Sequence, residues 1–173
     1  MYNEERRSKE KLITAEVYTD GSLKKIGKTT FGGWAFIVVR DGHEIFCTGN
    51  SEPNTTNQRM ELTAMLEALN YIKDHRTPNE KVIVYSDSAY IINCYHQDWY
   101  ITWEHNGWQN SQHKDVANRD LWEQIIPFFD NFWYYFTKVP GHAGNYWNEK
   151  CDEIAQNMAE RLKTTWRGKM NER

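Results

Sequence analysis

The hydrophobic period of this chain switches near residue 57, and that switch limits the possible folds more than any other feature. Before it, Ile13, Ala15, Val17 and Thr19 alternate with Thr14, Glu16, Tyr18 and Asp20, the pattern of a half-buried strand that stops at Gly21. Residues 31–40 and 43–49 read as two more strands, joined at Asp41-Gly42, a dipeptide that favours the tight turn of a hairpin. From 57 to 75, Leu62, Met65, Leu66, Leu69 and Ile72 recur on one helical stripe. After the Thr77-Pro78-Asn79 turn, residues 81–86 form a short β run, and helical patterns follow at about 88–96 and 99–106. A further helix starts after Asn118, a favourable N-cap, with Leu121, Trp122, Ile125 and Ile126 on its apolar side. Residues 132–139 are strand-like, and Cys151, Ile154, Ala155, Met158 and Leu162 give 145–162 helical spacing. Three antiparallel strands followed by interleaved helices and strands predict an α/β chain whose mixed sheet carries helices on its faces.

Composition narrows the class. The 173 residues suit one domain, and 39% hydrophobic with 14% aromatic content is incompatible with a disordered chain. No apolar run approaches the length of a membrane span, and the charged amino terminus lacks the apolar stretch of a signal peptide. Cys47, Cys94 and Cys151 show no CxxC spacing, so neither a disulfide framework nor a zinc site is expected. A soluble, cytoplasmic protein is the expectation. The net charge is −3, but the first eleven residues carry +1 and the last thirteen +4, which leaves −8 on residues 12–160. A phosphate-bearing substrate would have to overcome that acidic body.

Four acids stand where packing alone gives little reason for them. Asp20 closes the first strand pattern and Asp87 the fourth, the strand ends at which ligands collect in sheets with parallel strands. Glu61 lies near the start of the long helix beside its buried stripe, and Asp152 neighbours Cys151 on the last one. Converging carboxylates repel unless a cation sits among them, and an all-oxygen set suits Mg²⁺ or Mn²⁺. Each acid also has an ordinary reading: a turn at Asp20-Gly21, an N-cap at Asp87, dipole compensation at Glu61, a solvated helix edge at Asp152.

Five ordered segments decide between these readings. Tyr18-Thr19-Asp20-Gly21-Ser22, Thr56-Asn57-Gln58-Arg59-Met60-Glu61-Leu62, Tyr85-Ser86-Asp87-Ser88, Val139-Pro140-Gly141-His142-Ala143-Gly144 and Asn148-Glu149-Lys150-Cys151-Asp152-Glu153-Ile154-Ala155 resemble the signature segments of type 1 ribonuclease H. The resemblance covers about residues 13–160. It leaves 1–12 as a short N-terminal extension and 161–173 as a basic C-terminal tail. It implies the ribonuclease H-like fold, a five-stranded mixed sheet with helices on both faces. The implied activity is endonucleolytic hydrolysis of the RNA strand of RNA–DNA hybrids, leaving 5′-phosphate and 3′-hydroxyl ends.

By the same resemblance, Asp20, Glu61, Asp87 and Asp152 would hold two Mg²⁺ ions, with Mn²⁺ as a substitute. Asp20 would bridge them, Glu61 and Asp87 would hold the ion that activates water, and Asp152 the other. His142 corresponds to a mobile histidine that assists proton movement or product release. Substrate contacts are implied for Gly21, Ser22, Thr56, Asn57, Gln58, Trp99 and Trp103. Asn57 and Gln58 would reach minor-groove edges and the 2′-hydroxyls that distinguish RNA from DNA. The hybrid is the expected partner of a monomer, with no membrane association and no organic cofactor.

Two departures stand out. Ala89 occupies a position where glutamine is common in the family. Residues 95–118, a basic protrusion in many relatives, contain Lys114 alone against Asp98, Glu104 and Asp115. Trp99, Trp103 and Trp108 in that segment either pack it on the body or meet deoxyribose. Two other functions share the fold: hybrid binding without cleavage, and cleavage of duplex DNA or four-way junctions. Retention of all four acids argues against the first, and Asn57, Gln58 and the His142 loop argue against the second.

Overall fold

A computed structural model describes residues 13–139 and 144–171. Three antiparallel strands open it: β1 (Thr14–Ile26), β2 (Thr29–Arg40) and β3 (His43–Pro53). The β2–β3 turn is the hairpin expected at Asp41-Gly42, with both residues at positive φ, 50° and 75°. Helix α1 (Asn57–His75) follows, capped by Thr56, whose Oγ1 accepts the Arg59 N–H at 3.2 Å. Then come β4 (Lys81–Ser86), α2 (Ala89–His96), α3 (Trp99–His105), α4 (Arg119–Phe129), β5 (Tyr134–Lys138) and α5 (Tyr146–Asn171). The sheet order is β3-β2-β1-β4-β5, with β4 parallel to both β1 and β5.

Strand alternation splits the interior into two cores. Trp34, Phe36 and Val38 of β2 face the larger one, with Met60, Met65 and Leu69 of α1 and a cluster of aromatic rings around the fully buried Trp122 of α4. Ala35, Ile37 and Val39 face the smaller one, against Cys151 and Ala155 of α5. At the far end of the sheet, fully buried Glu80 takes two bonds from the Arg40 guanidinium, 2.6 Å from Nε and 3.1 Å from Nη2. The Thr77 N–H also donates to Glu80, so both carboxylate oxygens are used. Paired in this way, a buried acid is spared the cost of an uncompensated charge.

Helix α5 lies unusually close to the sheet. The Cys151 thiol donates to the carbonyls of Tyr18 and Ala35 at 3.5 and 3.3 Å. Further along, a Cβ on Gly33 would overlap the Ala155 carbonyl and stand 2.6 Å from the Ala159 nitrogen. Trp166 then meets Phe31, ring centroids 5.4 Å apart. The helix therefore runs back along β2 from residue 35 to residue 31.

β3 runs four residues past its expected end at 49, to Pro53, and β5 is shorter than the expected 132–139; three further departures have a visible cause. β1 does not stop at Gly21; it runs on to Ile26, paired with β2 throughout. Asn118 precedes α4 but does not cap it with its side chain. It sits in the left-handed region at φ 59°, and its Oδ1 accepts from the Arg59 guanidinium instead. The last helix continues past residue 162, through Gly168, to Asn171; Trp166 binding Phe31 gives it a reason to continue.

Because backbone, not a pliable side chain, meets the missing Cβ, Gly33→Ala is expected to lower stability by about 3 kcal/mol, the upper range for overpacking. Urea denaturation of wild type and variant checks this.

Candidate active site

The parallel pairing of β1 and β4 ends at Thr19 and Ser86, and the next residue on each strand is an acid. Asp20 is almost fully buried, because β1 is still paired on its other edge, with Ala35 opposite. Asp87 lies at the surface, because β4 has ended. Glu61 comes from the first turns of α1, which approaches β1 so closely that a Cβ on Gly21 would collide with the Glu61 nitrogen and lie 2.7 Å from the Met60 carbonyl carbon. Carboxylate oxygens of Asp20, Glu61 and Asp87 lie within 4.8 Å of one another. Asp152, half-buried on α5, stands beside this trio; both of its oxygens accept from Gln156 Nε2 at 2.8 Å.

The electrostatics reflect this crowding. Burial, then the charges of Asp87 and Asp152, push the Asp20 carboxyl up to about 8, although the Gly21 N–H, 2.7 Å from Oδ1, favours its ionised form. Burial, then Asp20 and Asp87, push Glu61 up to about 9. Asp87 is raised by partial burial and by Asp152, with Lys138 opposing the shift. Glu61 Oε1 is 3.5 Å from the Asn57 amide, but its buried Oε2 has no hydrogen-bond partner. An orphaned carboxylate oxygen among acids held close together fits a hard divalent cation.

The other expected residues divide around this cluster. Gly21 and Ser22 continue β1 beside it, while Thr56, Asn57 and Gln58 open α1 at its margin. Gln58 also lines an open groove of ≈ 660 Å³, whose other walls include Tyr90, Trp99, Trp103, Asn106 and Asn110. Trp103 and Trp108 are buried and pack within the aromatic cluster, so these two hold the 95–118 segment on the body. Trp99 is half-buried at the groove wall, with its Nε1 donating to Gln97. His142 lies outside the described residues.

Sequence reasoning missed two supports. Arg59 forms a bidentate pair with Asp120, at 2.7 and 3.1 Å, and fixes the start of α1 against α4. Gln156 holds Asp152 from one helical turn away, a pairing that i,i+4 spacing could have revealed.

A family model described as RNase H matches residues 13–160. The chain belongs to the RNase H family. It is 43% identical over 146 residues to the ribonuclease H of Syntrophomonas wolfei subsp. wolfei, covering 84% of this chain and 96% of that one. The crystal structure of LC9-RNase H1, described as a type 1 RNase H with the type 2 active-site motif, aligns with TM-score 0.67 and 28% identity over 86% of this chain and 72% of that one. The foamy viral protease-reverse transcriptase, solved with an RNA/DNA hybrid, aligns with TM-score 0.73 over 86% of this chain and 20% of that one; at 18% identity it shows the shared fold. As an RNase H, the chain is a metal-dependent hydrolase, and the three clustered carboxylates offer it a metal site.

Asp20 and Glu61 bind protons more tightly in the folded chain than at their ordinary values of 3.8 and 4.5. Their contribution to stability is therefore greatest below about pH 4 and is lost as pH rises towards 8 and 9. In EDTA, the melting temperature is expected to fall between pH 6 and pH 9. Asp20→Asn should flatten that fall, and added divalent cation should reverse it for wild type. Thermal melts across pH check both.

Proposed function

We propose that this chain hydrolyses the RNA strand of RNA–DNA hybrids with two Mg²⁺ ions, or Mn²⁺ in their place, held by Asp20, Glu61, Asp87 and Asp152. The products are 5′-phosphate and 3′-hydroxyl ends. The observation that supports this most is the unpartnered Glu61 Oε2 within the Asp20–Glu61–Asp87 cluster. When bound, such ions supply Lewis-acid stabilisation of an in-line phosphoryl displacement and a more acidic water.

The chain's own residues divide the remaining work. The Gly21 N–H fixes Asp20 Oδ1 and so sets the direction of the second oxygen. Asn57 orients one oxygen of Glu61 and leaves the other open. Gln156 holds Asp152 at the rim of the cluster. Asn57 and Gln58 then present amides to the minor groove, where a 2′-hydroxyl can donate or accept. Trp99 and the amide-lined groove beside Gln58 receive the DNA strand, while Gly21, Ser22 and Thr56 contact the substrate outside that groove. His142 assists proton movement or product release.

A complex of a structurally similar viral enzyme with an RNA/DNA hybrid supports the choice of substrate. No helix among the described residues is long and apolar enough to cross a membrane. The proposal extends to a monomer acting in the cytoplasm without an organic cofactor, its mass in solution measurable by light scattering.

A labelled hybrid should be cut in its RNA strand with Mg²⁺, while duplex DNA, duplex RNA and EDTA controls stay intact. Asp20→Asn should lower the rate by at least about 10³-fold, since the asparagine keeps the shape but loses the charge that holds the cations. Asn57→Ala/Gln58→Ala should raise KM for the hybrid more than it lowers kcat. Hybrid cleavage by Asp20→Asn within tenfold of wild type would overturn the metal assignment.

A further inference from the structure

Among the features this activity leaves unused, the positive charge at the far end of β1 and α5 is the strongest. Residues 161–173 carry +4 beside a body of −8. Trp166 packs against Phe31, and Phe31 is the ladder partner of Lys24. Directly paired residues share a sheet face, so Lys24 lies on the α5 face, in line with Asp20 and Ser22 on the same strand. The strand then turns back at Gly27-Lys28. Arg167 follows Trp166, and Lys169 stands three residues beyond it, on the helix flank bordering the strand contact. Lys28, Arg167 and Lys169 are exposed, and Lys24 is half-buried. Lys163 pairs with Glu160, but Lys24, Lys28, Arg167 and Lys169 have no ion-pair partner among the described residues.

We infer that Lys24, Lys28, Arg167 and Lys169 form a second anchor for the phosphate backbone of the hybrid, on the α5 side of the β1–β2 hairpin. The inference rests on the hybrid-cleaving function proposed above. Strand rise from Asp20 to Lys24 is about 13 Å, and helix rise from Asp152 to Arg167 is about 22 Å. At about 3.4 Å per nucleotide along a duplex, the anchor stands about four to six nucleotides from the scissile phosphate. Charge complementarity selects the occupant. A polyanion approaching an acidic body must be drawn by a local cluster of cations, and the 95–118 segment supplies only Lys114.

The test is a full-length variant with Lys24→Gln, Lys28→Gln, Arg167→Gln and Lys169→Gln, which leaves the Trp166–Phe31 packing in place. Binding of a 20-base-pair hybrid is measured by fluorescence anisotropy across a salt series, in an Asp20→Asn background that prevents cutting. The slope of log affinity against log salt should shrink by about 0.9 for each phosphate no longer neutralised, with affinity at least about tenfold weaker at 0.1 M salt. In the active background, kcat at saturating hybrid should not change. Lys73→Gln/Lys81→Gln, at the opposite end of the sheet, should alter neither slope nor affinity. An unchanged slope in the fourfold variant, or an equal change in the control pair, overturns the anchor. Failure of wild type to cut any hybrid overturns the proposed activity instead, so the two failures are distinguishable.

Discussion

β1 continues for seven residues after its parallel pairing with β4 ends at Thr19–Ser86, while β2 holds its other edge through Ile26. That unequal length creates the site. The released edge of β1 has no strand beside it, yet its backbone stays fixed because the antiparallel ladder with β2 is unbroken. Asp20 occupies the first released position, and Asp87 the corresponding position where β4 turns away. Helix α1 can bring Glu61 to the same point because Gly21 removes the Cβ that would keep it out. Two strands and one helix thus converge without any long loop having to hold a carboxylate.

The resulting cluster is a conflict built into the fold. Asp20 and Glu61 are buried beside other acids, and both are pushed far above ordinary carboxylate values. The structure offers only modest relief through the Gly21 N–H and the Asn57 amide. Elsewhere the same chain shows what full relief looks like: Glu80, equally buried, has a bidentate arginine and a backbone donor. Of these two buried glutamates, one has both oxygens paired within the protein, and the other leaves an oxygen free for a cation.

Much of this was legible in the sequence, for identifiable reasons. The strands and long helices were visible because each buries one face, and Asp41-Gly42 encodes its own turn. The four acids were individually ambiguous and gained meaning only from ordered segments around them. Asp20-Gly21 misleads locally: the dipeptide looks like a strand stop, but here the glycine serves an approach by a helix about forty residues later in the chain. Asn118 misleads in the same way, since its side chain serves Arg59 rather than its own helix. The Arg40–Glu80 and Arg59–Asp120 pairs join residues with no sequence relation, so no local pattern could reveal them.

The glycine–alanine contact between β2 and α5 has a mechanical consequence. With backbone against backbone at Gly33, the sheet grips the helix at Ala155 and Ala159 without a compliant side chain between them. Asp152 lies on one side of that contact, about 5–10 Å away, and Arg167 on the other, about 12–18 Å away. The helix is held on both sides of it as well, by the Cys151 thiol against the Tyr18 and Ala35 carbonyls and by Trp166 against Phe31, so the contact is a clamp and not a pivot. The placement of the fourth carboxylate is therefore set by the sheet beneath it and stays the same whatever rests on the opposite end of the same helix.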